Sequence, residues 1–366
     1  MTHEQHQTTI YYFSGTGNAE HVAGWAADAA RECGWTAEVI NIGVPGGHDA
    51  PPPAAGVLVG FVSPTHGFNF PPIMMYFLFT FPRTVHRNPV FLMNTRAGMK
   101  LGRLYLPGLS GIALWLAAVV LLLKGYRIVG MRPIDMPSNW ISLHPALRGN
   151  AVGAISERCR LITRRSMERL CGGKHDHRAV YDIIQDALIA PVAVLYYVFG
   201  RFFIAKSFYA SAACNNCDTC SKRCPVGAIV QVSGRPYWTF NCESCMRCMN
   251  ECPQRAIETG HGSVVAVSIV ASVFLADMVW GPVSHWTGFV QGTMGYDLVR
   301  FVADSLLTIG LLALVSMLVH AMVRVPGIRT LLRVTSLTSY DLWGRYQLTK
   351  VLRNQARERR PHVPVG

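Results

Sequence analysis

Two stretches decide how this chain is read: Cys214-Asn215-Asn216-Cys217-Asp218-Thr219-Cys220-Ser221-Lys222-Arg223-Cys224-Pro225 and Cys242-Glu243-Ser244-Cys245-Met246-Arg247-Cys248-Met249-Asn250-Glu251-Cys252-Pro253. Each cysteine of the second run stands 28 residues after its counterpart in the first. This is a short internal repeat, and neither half is large enough to bury a core alone. Eight thiolates at this spacing suit two [4Fe–4S] cubes: three closely spaced sulfurs hold one cube, and the fourth cysteine of each run reaches across to the other. One cube would then take Cys214, Cys217, Cys220 and Cys252, and the other Cys242, Cys245, Cys248 and Cys224. Two zinc knuckles and four disulfides are the competing uses of eight cysteines. Zinc sites usually pair two Cys-x-x-Cys units across a longer gap. Disulfides need an oxidising compartment, and nothing in the sequence sends this segment to one. Iron–sulfur ligation is therefore the expectation.

Around this repeat the composition is unusual. Half of the 366 residues are hydrophobic and only 15% are charged, which is low for a soluble chain and directs attention to membrane segments. The length suggests two or three domains. The formal net charge is +13. In a chain with apolar spans, such an excess reads as cytoplasmic positive charge facing anionic lipid rather than as nucleic-acid binding. The remaining cysteines, Cys33, Cys159 and Cys171, are scattered and read as structural or surface thiols. The polar Met1–Thr8 segment shows neither a signal-peptide h-region nor a twin-arginine pair.

Upstream, Thr9-Ile10-Tyr11-Tyr12-Phe13 is a β-prone apolar run, followed at once by Ser14-Gly15-Thr16-Gly17-Asn18 and a helical stretch from Ala19 to Cys33. A strand, a short hydroxyl- and glycine-rich turn and a helix N-terminus form a phosphate cradle, because backbone N–H groups and the helix dipole converge on an anion. The loop has no lysine and no G-x-x-x-x-G-K-[ST], so a nucleotide-hydrolysing P-loop is not expected. Its glycines do not match the dinucleotide fingerprint. Val39–Ile42, Gly56–Val62 and Val90–Met93 read as further strands, the second a continuous apolar run of the kind found in a parallel sheet covered on both faces. Alternating strands and helices predict a doubly wound α/β domain with its ligand at the carboxyl ends of the strands. Three loops should meet there: Ser14–Asn18 for a phosphate, and 64–70 and 94–98 for a flat ring.

On these residues the chain resembles the flavodoxin–ferredoxin fusion family over roughly residues 8–260. The resemblance implies FMN, with Ser14, Gly15, Thr16, Gly17 and Asn18 at its phosphate. It places Thr65, His66, Gly67, Phe68, Asn94, Thr95, Arg96, Ala97 and Gly98 around its isoalloxazine. Ala19 stands where the family usually has Thr, which removes one phosphate hydroxyl. Either Phe68 or Phe70 is suited to stack on the ring or to pack in the core. The fold class expected is a flavodoxin-like doubly wound parallel sheet, then an α+β bacterial 2[4Fe–4S] ferredoxin-like domain, then an α-helical transmembrane hairpin. The boundaries expected are 8–170 for the FMN domain, 171–209 for a linker, 210–260 for the ferredoxin, 263–323 for the hairpin and 324–366 for a basic cytoplasmic tail.

Four apolar segments need placing. Twenty uncharged residues lie between Arg103 and Lys124. A span there would put neighbouring strands of one sheet on opposite sides of the bilayer, so a helix whose outer face meets headgroups or a partner is expected instead. Residues 187–200 are uncharged but too short to cross, and read as an interfacial helix. Residues 263–283, apolar except for Asp277, and 305–323, preceded by Asp304 and containing His320, read as the two limbs of the hairpin. Asp277, Asp304, His285 and His320 are functional candidates by position, and haem ligation by the two histidines is the weaker reading beside hydrogen bonding. Residues 155–178 carry seven Lys/Arg, read as a solvated helix face or a partner-facing patch. The stretch from Tyr340 to Arg360 reads as a basic amphipathic helix on the membrane.

These parts predict a redox relay at the bacterial inner membrane, with the cofactor domains on the cytoplasmic side. The partners expected are membrane lipid, a membrane-bound redox complex, and soluble ferredoxin or flavodoxin as donor or acceptor. Quinone is the alternative acceptor, and a non-catalytic sensor or assembly role is a third reading. No nucleic acid is expected, and no substrate-binding catalytic constellation is visible.

Overall fold

The computed structural model describes residues 6–275, 278, 281, 282, 293–346, 348 and 350–352. The chain divides into two compact units, one from Met1–Trp140, Ala146–Val194 and Tyr346–Gly366, the other from Ile141–Pro145 and Leu195–Arg345.

The first unit is built on a parallel sheet. Strands β1 (Gln7–Tyr12), β2 (Thr36–Asn41), β3 (Leu58–Pro64), β4 (Pro89–Leu101) and β6 (Arg127–Pro137) lie in the order β2-β1-β3-β4-β6, and β5 (Leu104–Leu106) folds back antiparallel on the end of β4. This is the doubly wound 2-1-3-4-5 order of the flavodoxin-like architecture. Every residue of β3 is buried, as a central strand covered on both faces requires. Gly60 in β3 has no substitute, because a Cβ there would come within 2.2 Å of the Phe91 ring. The core gathers Tyr11, Phe61, Phe77 and Phe81, whose ring centroids lie 5.0 to 6.2 Å apart.

Helices α1 (Asn18–Glu32), α2 (Pro72–Thr80), α3 (Ala113–Leu123) and α4 (Gly149–Cys171) accompany this sheet. Helix α3 connects β5 to β6, and β6 pairs in parallel with β4, so the apolar segment 104–123 does not cross a bilayer. At eleven residues it is far short of the roughly 30 Å a crossing needs. It buries Leu114, Ala117 and Leu121 and leaves Val119, Leu122 and Leu123 exposed.

Three elements depart from expectation. Residues 94–98 are not a loop: β4 stays paired with β6 in register as far as Gly98 opposite Pro137. The partner strand runs on to Pro137, so backbone hydrogen bonds carry the polar residues Asn94 to Arg96 into the sheet. Residues 187–200 are part of a longer helical run, Arg178–Ser207, of 30 residues, including α5 (Ile183–Leu195) and α6 (Arg201–Ser207). Pro191 lies within it, and a π-helical turn at Tyr196–Gly200 carries the run onward. The third departure is the tail. Short 3₁₀ turns occupy Leu337–Ser339 and Asp341–Trp343, where the expected helix was to begin at Tyr340; residues 348 and 350–352 are helical, and Tyr346 and Leu348 are buried in the first unit. Residues 353–366 lie outside the described residues.

In the second unit β7 (Phe208–Ala210) pairs antiparallel with β10 (Ile257–Thr259), and β8 (Ile229–Val232) and β9 (Arg235–Trp238) form a hairpin turned at Ser233-Gly234. Both turn residues have positive φ, as a two-residue hairpin loop demands. Short helices α7 (Thr219–Lys222) and α8 (Arg247–Glu251) each carry the third cysteine of a triplet, Cys220 and Cys248. Beyond β10 come α9 (His261–Ile269), a π-helical continuation at Val270–Leu275, α10 (Met294–Met322) and α11 (Pro326–Thr335). Helix α10 has 29 residues and begins eleven residues before the expected 305. Within the most apolar windows of Arg178–Ser207 and Met294–Met322 only 6% and 11% is buried, so neither run is the covered core helix of a soluble domain. Asp277, in the 263–283 segment, and His285, beyond it, lie outside the described residues.

Candidate iron–sulfur centre and flavin loop

The 28-residue repeat is written into the backbone as well as the cysteines. Asn216 and Ser244 have φ of 56° and 54°, Asp218 and Met246 both have 61°, and Gly227 and Arg255 have 60° and 48°. Five of these six are not glycine, and a left-handed residue with a Cβ costs roughly 1–2 kcal/mol. Such turns aim successive N–H groups into one concavity. The same sulfur hydrogen bond closes each half: Ala228 N–H donates to Cys224 Sγ and Ala256 N–H to Cys252 Sγ, both at 3.3 Å.

The eight sulfurs fall into two quartets. Cys214, Cys217, Cys220 and Cys252 line one hollow. Cys242, Cys245, Cys248 and Cys224 act on one another electrostatically. These are the groupings expected from the spacing. The quartets differ in depth. Cys217 is exposed, and its thiol is drawn below the ordinary value by the hydrogen bond from Thr219. Burial pushes Cys245 up to about 12 and Cys242 and Cys248 further, with the neighbouring sulfurs adding to the effect. Buried thiols this close resist ionisation unless a cationic centre takes the charge, and metal binding supplies that. The donor set therefore fits iron–sulfur cubes. Among the described residues no three His, Cys, Asp or Glu side chains converge where a single bare ion would sit.

In the first unit the loop after β1 enters α1 through Gly17 at φ 98°, and no side chain caps the helix. Its first-turn N–H groups are the orphan donors an anion satisfies. The side chains are committed elsewhere. Ser14 Oγ accepts from Gly17 N–H at 3.0 Å, and Thr16 pairs with the Asn139 amide. Asn18 donates to Pro137 O at 2.9 Å and accepts from the Tyr346 hydroxyl at 2.6 Å. Burial, the dominant cause, raises the Tyr346 phenol well above its ordinary value, so it remains a donor. A phosphate at this loop fits on backbone groups alone. Ala19 is fully buried, so the missing hydroxyl there leaves no polar gap.

The turn after β3 is tight. His66 N–H donates to Asn69 O at 2.8 Å, and Asn69 Nδ2 ties the turn to Gly67 O and to Ala193 O at 2.7 Å. Phe68 sits at φ 68°, half-buried, while Phe70 is fully buried in the core. Phe70 is therefore packing, and Phe68 is the ring of the two with a face to offer. Thr65 joins Asn94 through Nδ2 at 2.8 Å, which also reaches Ser110 at 3.1 Å. Arg96 is withdrawn into an internal network: Nε to Asp135 at 2.6 Å and Nη1 to Asp182 at 2.7 Å. Burial opposes its charge, and the two carboxylates outweigh that and raise its pKa. Ala97 and Gly98 are strand residues, Gly98 close-packed on Asp135 O. Sequence reasoning missed Asn139, Asp135, Asp182 and Tyr346, none of which carries a local motif.

Of the other expected candidates, Asp304 pairs with Arg300 within α10 at 3.7 Å, and His320 bonds Val232 O at 3.0 Å. The basic face of α4 is largely paired, with Arg160 on Glu157 and Arg164 on Glu32 and Glu168.

Residues 213–257 match the family model of the 4Fe-4S dicluster domain. A search of curated proteins returns no match. Among solved structures, the chain is similar to a flavodoxin from the domain Archaea (14% identity, 44% of this chain and 97% of that one, TM-score 0.29) and to flavodoxin 1 from Bacillus cereus (18%, 43% and 94%, 0.27). It is also similar to rubredoxin oxygen:oxidoreductase from Desulfovibrio gigas at 16% identity, covering 45% of this chain but only 37% of that protein, with a TM-score of 0.27. The chain thus carries a 4Fe-4S dicluster domain beside a doubly wound parallel sheet whose strand order is flavodoxin-like.

Proposed function

We propose that this chain is a membrane-anchored electron-transfer protein that relays electrons between two [4Fe–4S] clusters, FMN and a membrane-bound redox partner. The observation that carries the reading is the division of eight cysteines into two quartets, each with its crossing fourth sulfur, beside an uncapped helix N-terminus at the carboxyl end of β1. Cys214, Cys217, Cys220 and Cys252 hold one cluster and Cys242, Cys245, Cys248 and Cys224 the other. N–H···S bonds from Ala228 and Ala256 tune them. The first turn of α1 holds the FMN phosphate by backbone N–H groups, and Phe68 and Thr65 flank the ring. FMN takes one or two electrons and so couples one-electron to two-electron partners. Arg96 acts as a strut between β4 and β6 rather than as a ligand.

Anchoring is supported by α10, long, apolar and little covered. The Arg178–Ser207 run passes the same length test, but Asp186 accepts from Trp115 at 3.0 Å and Ala193 O from Asn69 at 2.7 Å, both within the first unit. It is therefore assigned to the interface. Positive charge in the tail favours the cytoplasmic side of a bacterial inner membrane, where soluble ferredoxin or flavodoxin supplies or takes electrons.

The test is anaerobic purification of the full chain from membranes. The expected content is about eight iron and eight sulfide per chain, as two cubes require, with flavin fluorescence released on denaturation. Protein without sulfide and without flavin overturns the proposal.

A further inference from the structure

At the C-terminal end of α10 a cleft of about 470 Å³ opens beside the β8–β9 hairpin, lined by Arg235, Tyr237, Met317, His320, Ala321 and Arg324 together with the hairpin residues Val232 and Ser233. Its lining is mainly apolar, with two guanidinium groups and an imidazole set into it. Arg235 is 6% exposed and donates through Nη2 to Ala210 O at 2.5 Å and Ser211 O at 2.7 Å, three residues before Cys214. Among the described residues neither Arg235 nor Arg324 has a carboxylate partner. Arg235 is met instead by those two backbone carbonyls through Nη2, and Arg324 is exposed. His320 Nε2 lies 3.0 Å from Val232 O. A carbonyl can only accept, so Nε2 carries the hydrogen, and Nδ1 is the ring atom left for a ligand. The Tyr237 ring meets His320 edge-on at 5.4 Å, and its hydroxyl accepts from Lys206 at 3.1 Å.

We propose that this cleft binds the head of a quinone. The ligand class follows from four features found together. Val232, Met317 and Ala321 give an apolar slot for a ring. Arg235 and Arg324 give donors for carbonyl oxygens, of the charge-assisted kind that holds an acceptor most firmly, and His320 lines the slot beside them. The slot stands at the end of the long apolar helix α10, where a lipid-soluble ligand arrives. Arg235 links it to the strand that leads to Cys214. A phospholipid headgroup would use the two arginines, but it has no need of an apolar slot or of a seat next to the cluster loop. The inference rests on the membrane reading above for the source of the ligand and not for the site itself.

The test uses the full chain, purified anaerobically in detergent with its iron, and a short-tailed naphthoquinone carrying an aryl azide. Irradiation should place the label on peptides containing Tyr237 and Met317–Arg324, and unlabelled quinone should compete. The pair His320→Leu and Arg324→Gln should weaken labelling by about tenfold or more, the loss of one charge-assisted hydrogen bond, with iron and sulfide unchanged. Arg324→Lys should recover part of it. Label spread elsewhere, or label that persists in the double variant, overturns the proposal. Displacement by anionic phospholipid but not by quinone also overturns it and makes the cleft a headgroup seat. Should the chain fail to fractionate with membranes, the anchoring proposed above falls while the labelling result still decides the cleft.

Discussion

The loop after β1 and the loops of the cysteine repeat are both short turns that feed a helix, yet they use their side chains in opposite ways. In the first, Ser14, Thr16 and Asn18 all face protein partners, and only backbone N–H groups are left for a ligand. In the second, the backbone is bent at five non-glycine left-handed residues so that the side chains, the eight sulfurs, stay available. A loop that holds a phosphate by its backbone tolerates drift in sequence. A loop that holds a cluster by its side chains does not. Substitution should therefore be far more damaging in the repeat than in the β1 loop.

The largest effect should come from the deeper quartet, in which Cys242 is buried and the other three sulfurs are partly covered. Cys245→Ser should remove its cluster and, because the site is deep, carry much of the second unit's folding with it. Cys217→Ser, at the exposed quartet, should leave about half the iron in a folded chain, one of two cubes. Iron and sulfide per chain with circular dichroism read both. Equal losses would erase the distinction between the quartets. Next come the two phenylalanines beside the proposed flavin. Phe70→Ala should destabilise the first unit by about 3–5 kcal/mol, the usual cost of emptying a buried aromatic site. Phe68→Ala should cost under about 1 kcal/mol and instead lower flavin affinity, as followed by flavin fluorescence during denaturant titration.

A smaller effect is expected at Tyr346. Its hydroxyl is the partner of Asn18 Oδ1, and Tyr346→Phe leaves that buried acceptor without its donor, at a cost of about 1–3 kcal/mol. Flavin affinity should stay within a factor of about three, because one neutral hydrogen bond is worth about 1 kcal/mol and the backbone, not the amide, meets the phosphate. A larger loss on flavin titration would show that the β1 loop depends on side chains after all, and would close the gap between it and the repeat.

What the sequence shows depends on how far a feature reaches along the chain. The cysteine spacing and the β1–turn–α1 unit are local, and both can be read by eye. The strand order follows from the alternation of apolar runs. The contacts that fill the β1 loop join residues 123 and 328 positions apart, and nothing in Asn139 or Tyr346 announces them. The extension of β4 through Arg96 and Gly98 is a pairing decision made by β6, so a strand that seemed to stop at Met93 does not. Helix Arg178–Ser207 looked too short because Asp186 and Arg201 ended the uncharged count. Both charges are accommodated within the helical run: Asp186 accepts from the Trp115 indole, and Arg201 lies over Tyr197 and Phe202.

The smallest effect compares two thiols outside the repeat. Cys33 is exposed, whereas Cys159 is buried on α4 and lies 3.2 Å from Asp135 O. Burial first, and then the Asp135 carboxylate, push the Cys159 thiol up to about 12. The sign follows from linkage. A folded-state pKa above the unfolded one favours the folded chain at low pH, and that contribution is lost only as pH climbs from the ordinary thiol range towards 12. Between pH 7 and 9 Cys159 should stay protonated and resist iodoacetamide in the folded chain, while the exposed Cys33 reacts. Mass spectrometry of peptides after timed alkylation separates the two. Labelling of Cys159 at the rate of Cys33 would mean that α4 opens from the sheet on that timescale, and the first unit would then be the less rigid frame of the two.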